Sequence, residues 1–456
     1  MDQGAVAGAL VTALLCGCGT SPEARLRKTL SSQTTGIIRL PPGEIKVSSE
    51  LTLAPGAHDL EIVGNETRLK AADNFKGRAI LVLENVERIH LHYLEIDGNR
   101  QKLVQPLEMA PSENAFHVWY PDNGLLVNNV KGLQIERLRL NNVVNFPILV
   151  SQSSKVRIWR ASVEESGSKN ARGRNNLSGG ILFEEGSSGF EVTESAFRGI
   201  LGNALWTHSN FHAPRQQDGV FTRNKFDTIG RDAIQVGHAT RIRVDGNTGV
   251  NIGYPIDIID VENQGTPVAI DTAGNVDRSE YVGNTFEEIN GQCIDLDGFH
   301  DGVVRDNRCT NRKTAEDYPH GSFAIAMNNT HPDTHSGNID LSGNIIDGSK
   351  FGGLFLMGSA NKIIGNRFLR LNLAGCNESD KKFGCIYKAD EPEMLQSGIY
   401  LSRGVARLEG TRGNIIRDNE ISGHGMKARC IGFGPGVSRR ANTLGNNLCS
   451  DEPTAR

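Results

Sequence analysis

The stretch Val220-Phe-Thr-Arg-Asn224-Lys-Phe226 is a short apolar run that leads into Asn, one variable residue and another apolar residue. The same pattern returns further along the chain with its asparagine at Asn247, Asn284, Asn307, Asn344, Asn366, Asn419 and Asn446. Successive asparagines lie 23, 37, 23, 37, 22, 53 and 27 residues apart, so a unit near 22 residues with inserted loops explains every step. A repeat of that length built from short strands is typical of a parallel β-solenoid, in which each repeat forms one turn.

The repeated asparagine has a physical role in such a turn. It tolerates left-handed backbone angles, and stacked amides hydrogen-bond from one turn to the next. A leucine-rich repeat has a similar length, but its regularly spaced leucines and helical half are missing from this sequence. The 52 glycines and an aromatic content of only 6% also suit short strands joined by tight turns. We therefore predict an all-β chain that forms a single right-handed parallel β-helix with loop insertions.

Two stretches near the start carry a family resemblance. Gly36-Ile-Ile-Arg-Leu-Pro-Pro-Gly43 is followed later by Ile89-His-Leu-His-Tyr-Leu-Glu-Ile-Asp97-Gly98-Asn99. They resemble the opening turn, G-x-I-x-L-P-x-G, and an early turn ending I-D-G-N in the pectate-lyase/rhamnogalacturonase-like superfamily, which has the pectin-lyase-like fold. The resemblance covers residues 36–456 and implies a right-handed parallel β-helix. It says little about the reaction, which has to be argued from the site.

The N-terminus has the features of an export signal. Residues 5–15 are almost entirely apolar, and Leu15-Cys16-Gly17-Cys18 resembles a bacterial lipobox in which Cys18 would be lipidated. The first residues, Met1-Asp2-Gln3, depart from the usual signal because they carry no Lys or Arg. We predict a signal peptide and lipobox in residues 1–18, a Ser/Thr-rich tether in 19–35 and the β-helix in 36–456. The protein would be exported from a bacterial cell to the periplasm or outer surface, with a possible lipid anchor as its one membrane contact.

Charge and cysteine content narrow the partners and the compartment. The formal net charge of -4 and the lack of a long basic run argue against nucleic acid as a partner. Six cysteines follow the lipobox, an even number that fits disulfides in an oxidising compartment. Six cysteines allow fifteen connectivities. Their order along the chain favours pairing between neighbours, Cys293 with Cys309, Cys376 with Cys385, and Cys430 with Cys449.

A second series of strands lies between the Asn repeats, and its alternation predicts which side chains face outward. Ile234 and Val236 should point into the coil, as should Ile294 and Leu296. Their neighbours then form one outward column, predicted to contain Trp206, Gln235, Asp257, Asp295, Ala324, Phe355 and Tyr400. Asp297 lies on the same face, one outward position beyond Asp295. Insertions that would wall this face occur at 103–122, 169–178, 211–217, 264–275, 310–319 and 372–396.

The aspartates of this column predict a catalytic site. Asp257 and Asp295 would lie roughly 5 Å apart on adjacent turns, and Asp297 roughly 7–8 Å from Asp257 on a diagonal. Carboxylates that close should raise the pKa of one of them, as a general acid requires. We predict Asp257, Asp295 and Asp297 as catalytic residues of a glycoside hydrolase that needs no cofactor. The predicted substrate-binding residues are Trp206, His208, Gln235, Tyr400, Asp232 and His300.

Two other functions remain open. A polysaccharide lyase or uronate epimerase would use Asp257, Asp260, Asp295 and Asp297 to bind Ca²⁺. Its base would then be Arg198, Arg215 or Arg231. A non-catalytic surface module would bind glycan without reaction. In each case the partner is a polysaccharide or oligosaccharide. Polygalacturonase-like signatures match only in part, at Gly230-Arg-Asp232-Ala-Ile and His320-Gly-Ser, so no catalytic residue is carried over from that family.

Overall fold

The computed structural model describes residues 21–111, 113–175, 177–210, 212–256, 266–376, 385, 391, 393–404 and 407–451. Within these residues 39 strands pair, and every pairing runs parallel to its neighbour from one turn of the coil to the next. The connection between two parallel strands of the same sheet is right-handed. The predicted all-β, right-handed parallel β-helix is confirmed. No helix in the described ranges is long and apolar enough to cross a membrane.

Each turn contributes a strand to three sheets, which we call sheets 1, 2 and 3. The first turns use long strands that bend around the corners, so one strand serves several sheets: Gly36–Arg39, Gly43–Thr52, His58–Glu84 and Glu87–Asp97. Sheet 1 then continues through Lys131–Glu136, Ser154–Trp159, Glu191–Thr193, Val220–Thr222, Arg243–Asp245, Glu280–Val282, Val303–Arg305, Asp340–Ser342, Lys362–Ile364, Ile415–Arg417 and Thr443–Gly445.

Sheets 2 and 3 complete each turn. Sheet 2 contains Arg139–Asn141, Ser162–Glu164, Ala196–Ile200, Lys225–Ile229, Thr248–Ile252, Thr285–Ile289, Arg308–Thr310, Ile345–Asp347, Arg367–Leu371, Glu420–Gly423 and Leu448–Ser450. Sheet 3 contains Asn123–Asn128, Ile148–Ser151, Gly179–Glu184, Asn203–Thr207, Ile234–Thr240, Val268–Asp277, Gln292–Asp297, Ile325–Asn328, Leu354–Leu356, Ile399–Leu401 and Ile431–Phe433. Two further short strands, Gln216–Gln217 and Phe299–His300, pair with the ends of sheet 3 strands.

The core is a continuous column of inward side chains. Alternate residues of most strands are buried in one apolar cluster that runs along the coil. Aromatic rings stack within it, with 4.3 Å between the ring centroids of Phe183 and Phe190 of one turn and 5.0 Å between those of Phe197 and Phe226 on adjacent turns. The strands are thereby fixed in register, because a slip by one residue would turn the apolar set outward.

The repeated asparagines form a ladder at the turn between sheets 1 and 2. The backbone N–H and the Nδ2 of Asn224 both donate to Oδ1 of Asn247, at 2.9 and 3.1 Å. The same pair of bonds continues through Asn284, Asn307, Asn344, Asn366 and Asn419. The last member is Asn447, to which Asn419 donates, and not the predicted Asn446. Asn446 instead occupies the left-handed turn position, with a φ of 52°.

The segment predicted as a tether differs from that prediction. Residues Pro22–Ser32 form an α-helix, with Ser21 accepting the backbone N–H of Ala24 as its N-cap. Leu26 and Leu30, four residues apart, are buried in the core cluster of the coil. The helix therefore covers the open end of the first turn, as solenoids require of a terminal cap. Residues 1–20, including Cys18, lie outside the described residues.

The remaining helices are short. Two α-helices, Arg100–Leu103 and Phe116–Trp119, lie in the insertion before Asn123. Three 3₁₀ turns are Ala315–Asp317, Met394–Gln396 and Arg439–Ala441. The three predicted disulfides are confirmed, joining Cys293 to Cys309, Cys376 to Cys385 and Cys430 to Cys449.

Candidate active site on the outer face of sheet 3

The strand pairing corrects one turn of the predicted outward column. Gln235 pairs with Asp271, and Ile270 pairs with Ile294, which places Asp271 beside Asp295. The turn predicted to present Asp257 therefore presents Asp271, and that prediction is wrong. The stretches around Asp257 and Asp271 both alternate apolar and polar residues, so the pattern fits either one. Asp257 and Asp260 themselves lie outside the described residues.

One further position of the column changes. Asp295 pairs with Ala326, and Ala326 with Phe355, so Ala326 takes the place predicted for Ala324. The outward column in turn order is Val82, Leu126, Leu149, Leu182, Trp206, Gln235, Asp271, Asp295, Ala326, Phe355 and Tyr400. Its polar members occupy three successive turns and are flanked on both sides by apolar residues.

Hydrogen bonds link the polar turns. Nδ2 of Asn203 donates to Oε1 of Gln235 at 2.8 Å, and Nε2 of Gln235 donates to Oδ2 of Asp271 at 2.7 Å. All three side chains are at least nine-tenths buried. Burial raises the pKa of Asp271 to about 6, opposed by the hydrogen bond from Gln235 and by the charge of Arg231. Gln235, predicted to bind substrate, therefore orients Asp271 from within the column.

Asp295 and Asp297 share the strand Gln292–Asp297 and are both partly exposed. Oδ1 of Asp295 has no hydrogen-bond partner within the described ranges, and burial together with the charges of Asp271 and Asp297 raises the pKa of Asp295. Asp297 accepts hydrogen bonds from the backbone N–H of Thr330 at 2.7 Å and from its hydroxyl. Burial raises the pKa of Asp297, while the bonds from Thr330 lower it. The two carboxyls thus stand in different environments.

Asp232 lies behind this face and is fully buried. Its Oδ1 accepts the backbone N–H of Val268 at 2.9 Å, and its Oδ2 is 3.5 Å from Nε of Arg231. Burial and the charge of Asp271 raise the pKa of Asp232. The prediction that Asp232 contacts substrate is wrong, because the side chain caps the entry to the Asp271 strand.

A cavity of about 440 Å³ opens beside the column. Its lining includes Gln235, Arg231 and His208, and the long insertion contributes one wall through Met109, Ala110, Pro111, Asn114 and Phe116. Burial lowers the pKa of His208 to about 4, so its imidazole is neutral at pH 7. Two more histidines complete the lining, His238 and His331. The cavity thus offers the neutral imidazole of His208 and the guanidinium of Arg231 beside Gln235 of the outward column.

Other predicted binding residues are covered or lie elsewhere. Trp206 is only 4% exposed and packs against Phe116, although it contributes to the lining of the cavity. Tyr400 is 1% exposed, with its hydroxyl 3.3 Å from Oε1 of Glu391. The prediction that Tyr400 binds substrate is wrong, because an inserted loop covers its ring. His300 lies in the short strand Phe299–His300, with its ring 4.5 Å from that of His335.

The predicted lyase residues are mostly separated. Of the three candidate bases only Arg231 lines the cavity, while Arg215 binds Asp277 at 2.8 Å and Arg198 lies on sheet 2. In the part of the chain that the structure describes, no three carboxylates of this face bring oxygens within 4.8 Å of one another.

Sequence reasoning missed Asp271 and the interplay of Arg231 with Asp232. The signal for Asp271 was present in Val268-Ala-Ile-Asp-Thr272, whose β-branched residues alternate as well as those of the chosen stretch. No pattern in the sequence indicates the role of Arg231, because the residues around its side chain come from three different turns of the coil.

Comparisons with known proteins identify relatives by structure alone. No protein-family model and no curated protein matches this chain. The catalytic unit of a GH87 alpha-1,3-glucanase from Streptomyces thermodiastaticus superposes with a TM-score of 0.52 at 11% identity, covering 96% of this chain and 68% of that one. The A-module of a mannuronan C-5 epimerase from Azotobacter vinelandii gives 0.51 at 14%, covering 94% and 96%.

This chain shares the parallel β-helix fold with these neighbours. A third similar structure, the ORF18 protein of Geobacillus virus E2, has a TM-score of 0.48 at 13% identity. The matched region spans 68% of this chain and 57% of the viral protein. At these identities the likeness concerns the fold.

Proposed function

We propose that this β-helix is a polysaccharide-acting glycoside hydrolase with Asp295 as its general acid and Asp297 as its general base. The observation that carries the proposal is the break in the outward column of sheet 3, where Gln235, Asp271 and Asp295 replace apolar residues beside an open cavity. Like-charged side chains on adjacent turns destabilise a sheet. Their presence at one place, with raised pKa values, favours a catalytic use.

Asp295 has the environment of a proton donor. Its Oδ1 has no partner among the described residues, and Asp271 lies beside it on the adjacent turn, about 4.8 Å away at the usual strand separation. Two carboxylates that close cannot both ionise easily. Asp295 therefore keeps its proton at a pH where an isolated aspartate has lost it, and it can protonate a glycosidic oxygen.

Asp297 has the environment of a base. The backbone N–H and hydroxyl of Thr330 both donate to it, which favours its ionised form. Asp295 and Asp297 are two residues apart on one strand, so their Cα atoms are roughly 6.7 Å apart. Carboxyl groups about 6.5–9.5 Å apart leave room for a water and lead to inversion at the anomeric carbon. We propose an inverting mechanism without a cofactor.

The activities of the two neighbours are compatible with this class of substrate. One is a glucanase and the other a mannuronan epimerase, so both act on polysaccharides. Three disulfides fit a protein that works outside the cytoplasm. We propose export as the setting of this activity.

A second function, that of a polysaccharide lyase or epimerase, is favoured by one specific observation. The cavity is lined by Arg231 and by His208, whose neutral imidazole could accept the C5 proton of a uronate. Arg231 would then face the developing negative charge. This alternative predicts unsaturated or epimerised products.

The test is activity on a panel of acidic and neutral polysaccharides, followed by reducing-end release and UV absorbance, with and without EDTA. New reducing ends without absorbance, with inverted anomeric configuration by NMR, are expected for the hydrolase. Absorbance that Asp295→Asn leaves intact and His208→Ala abolishes would overturn it in favour of the lyase. Binding without any product would leave a glycan-binding module.

A further inference from the structure

A second cluster of chemically active side chains lies far from the carboxylates, on the outer face of sheet 1. His90 and His92 belong to the strand Glu87–Asp97, and their neighbours Ile89 and Leu91 are buried in the core. Alternation therefore turns both histidines outward. Glu61, on the strand His58–Glu84 of the preceding turn, is the direct partner of His90.

The three side chains converge. Nε2 of His92 is 2.9 Å from Oε1 of Glu61, and the imidazole rings of His90 and His92 stack with 4.4 Å between their centroids and 11° between their planes. One ligand atom from each of the three residues lies within 4.8 Å of the other two. Across the described ranges, this is the one such group of His, Cys, Asp or Glu.

We propose that Glu61, His90 and His92 bind a divalent transition-metal ion of the Zn²⁺ class. Two imidazoles and one carboxylate are a ligand set that Zn²⁺ uses, at bond lengths of about 2.0–2.2 Å. Tetrahedral ligands at those lengths are roughly 3.4 Å apart, so the present group needs a closure of about one ångström. Small side-chain rotations at this outer face bring the three ligand atoms closer together by that amount. An ion pair with Glu61 explains the position of the His92 side chain alone. A bound metal also explains the position of the His90 side chain.

The surroundings leave a fourth position for water or an anion. On the following turn His90 pairs with Gln134 and His92 with Glu136, so two more oxygen-bearing side chains adjoin the site. A groove of about 590 Å³ beside it is lined by His90, Gln134, Lys155 and Arg157. Three protein ligands with access to a groove have the pattern of an open metal site. The metal would also join two turns of the coil.

The test uses the untagged full chain, stripped with chelator and titrated with Zn²⁺ by calorimetry. One saturable site is expected, with affinity at least about tenfold weaker in His90→Ala and in His92→Ala. Glu61→Gln keeps a hydrogen-bonding side chain but removes the anionic ligand, and it should weaken binding similarly. Circular dichroism of each metal-free variant checks that it is folded.

His58→Ala is the matched control, because His58 is an exposed histidine on the same sheet and outside the cluster. It should bind Zn²⁺ as the wild type does. Co²⁺ provides an independent readout, since its visible absorption band reports nitrogen and oxygen ligation and should vanish in His92→Ala. Equal Zn²⁺ affinity in the wild type and both histidine variants, or no saturable binding at millimolar Zn²⁺, overturns the proposal. Either result leaves the hydrolase proposal untouched, because the aspartate site shares no residue with this one.

Discussion

The outward face of sheet 3 contains two kinds of region. At its two ends the outward column is apolar and lies under inserted loops. Phe116 and Tyr120 cover Trp206 and the turns before it, while Phe323 and Leu395 flank Phe355 and the turns after it. In the middle the column is polar, and loops stand beside it without covering Asp295 and Asp297.

This difference shows how a uniform coil acquires a site. Every turn presents one outward residue at the same place, and that residue is stable either when it is covered or when it is hydrated. Covered turns stabilise the coil through apolar burial, so their outward residues contribute to folding. Uncovered turns can hold charges that lower stability but carry chemistry. Loop placement therefore decides which turns of a regular scaffold can act on a substrate.

The largest expected effect comes from the open region. Asp295→Asn should lower kcat by about 10³-fold, because it removes a general acid without changing its shape. Its melting temperature should stay equal or rise, since Asn carries no charge beside Asp271 and Asp297. Reducing-end release measures kcat, and thermal unfolding measures the melting temperature. Asp306→Asn, on an exposed turn, is the control and should retain full activity. Loss of less than tenfold in Asp295→Asn would remove Asp295 from the mechanism.

The covered region should respond in the opposite way. Phe355 is packed 5.6 Å from the ring of Phe323 and 6.2 Å from that of Tyr400. Phe355→Ala should lower the free energy of unfolding by about 3–4 kcal/mol, with activity per folded molecule nearly unchanged. Chemical denaturation measures the free energy of unfolding. Assays at temperatures well below the unfolding transition measure the activity per folded molecule. Leu408→Ala, at an exposed leucine, should change neither. A loss of activity without a loss of stability would erase the distinction between the regions.

A third effect is the dependence of stability on pH. The folded pKa of Asp271 is raised to about 6, above the value of about 3.9 expected in the unfolded chain. Its contribution to stability is therefore fully present below about pH 4 and is lost as pH rises through about 6, by at most about 3 kcal/mol. Asp271→Asn should flatten this part of the curve of melting temperature against pH. A curve for the variant parallel to that of the wild type would contradict the raised pKa.

The repeat, the parallel coil and the inward set of residues could be predicted because each follows from local periodicity. Trp206, Gln235 and Asp295 occupy the predicted outward positions for the same reason. The choice between Asp257 and Asp271 could not be made, since two nearby stretches alternate equally well. Only pairing with both neighbouring turns distinguishes them.

What loops cover was beyond prediction from sequence. Trp206 and Tyr400 have the alternation of exposed residues, and their burial depends on insertions that are distant along the chain. The helix Pro22–Ser32 was missed because its Ser and Thr content outweighed the spacing of Leu26 and Leu30. Long-range packing, and not local pattern, decides all three.

The smallest expected effect lies at the border between the two regions, where Glu184 holds the covering loop in place. This fully buried carboxylate accepts the backbone N–H groups of Phe116 and His117, at 2.7 and 2.9 Å, and Nδ1 of His117 at 2.7 Å. Glu184→Gln keeps the size of the side chain but loses an acceptor and its charge. The loop should be destabilised by about 2 kcal/mol, because hydrogen bonds to charged groups contribute about 1.5–3 kcal/mol.

That loss should appear as local opening. Limited proteolysis within residues 104–115 should become about thirtyfold faster, which is the factor that corresponds to 2 kcal/mol when cleavage follows opening. KM should rise, because the same loop walls the cavity, while kcat should change little. Glu280→Gln, at an exposed glutamate on sheet 1, provides the comparison and should be cleaved at the wild-type rate. If Glu184→Gln leaves proteolysis unchanged but lowers kcat, Glu184 belongs to the open region and acts in the chemistry, and the border between the two regions lies one turn earlier.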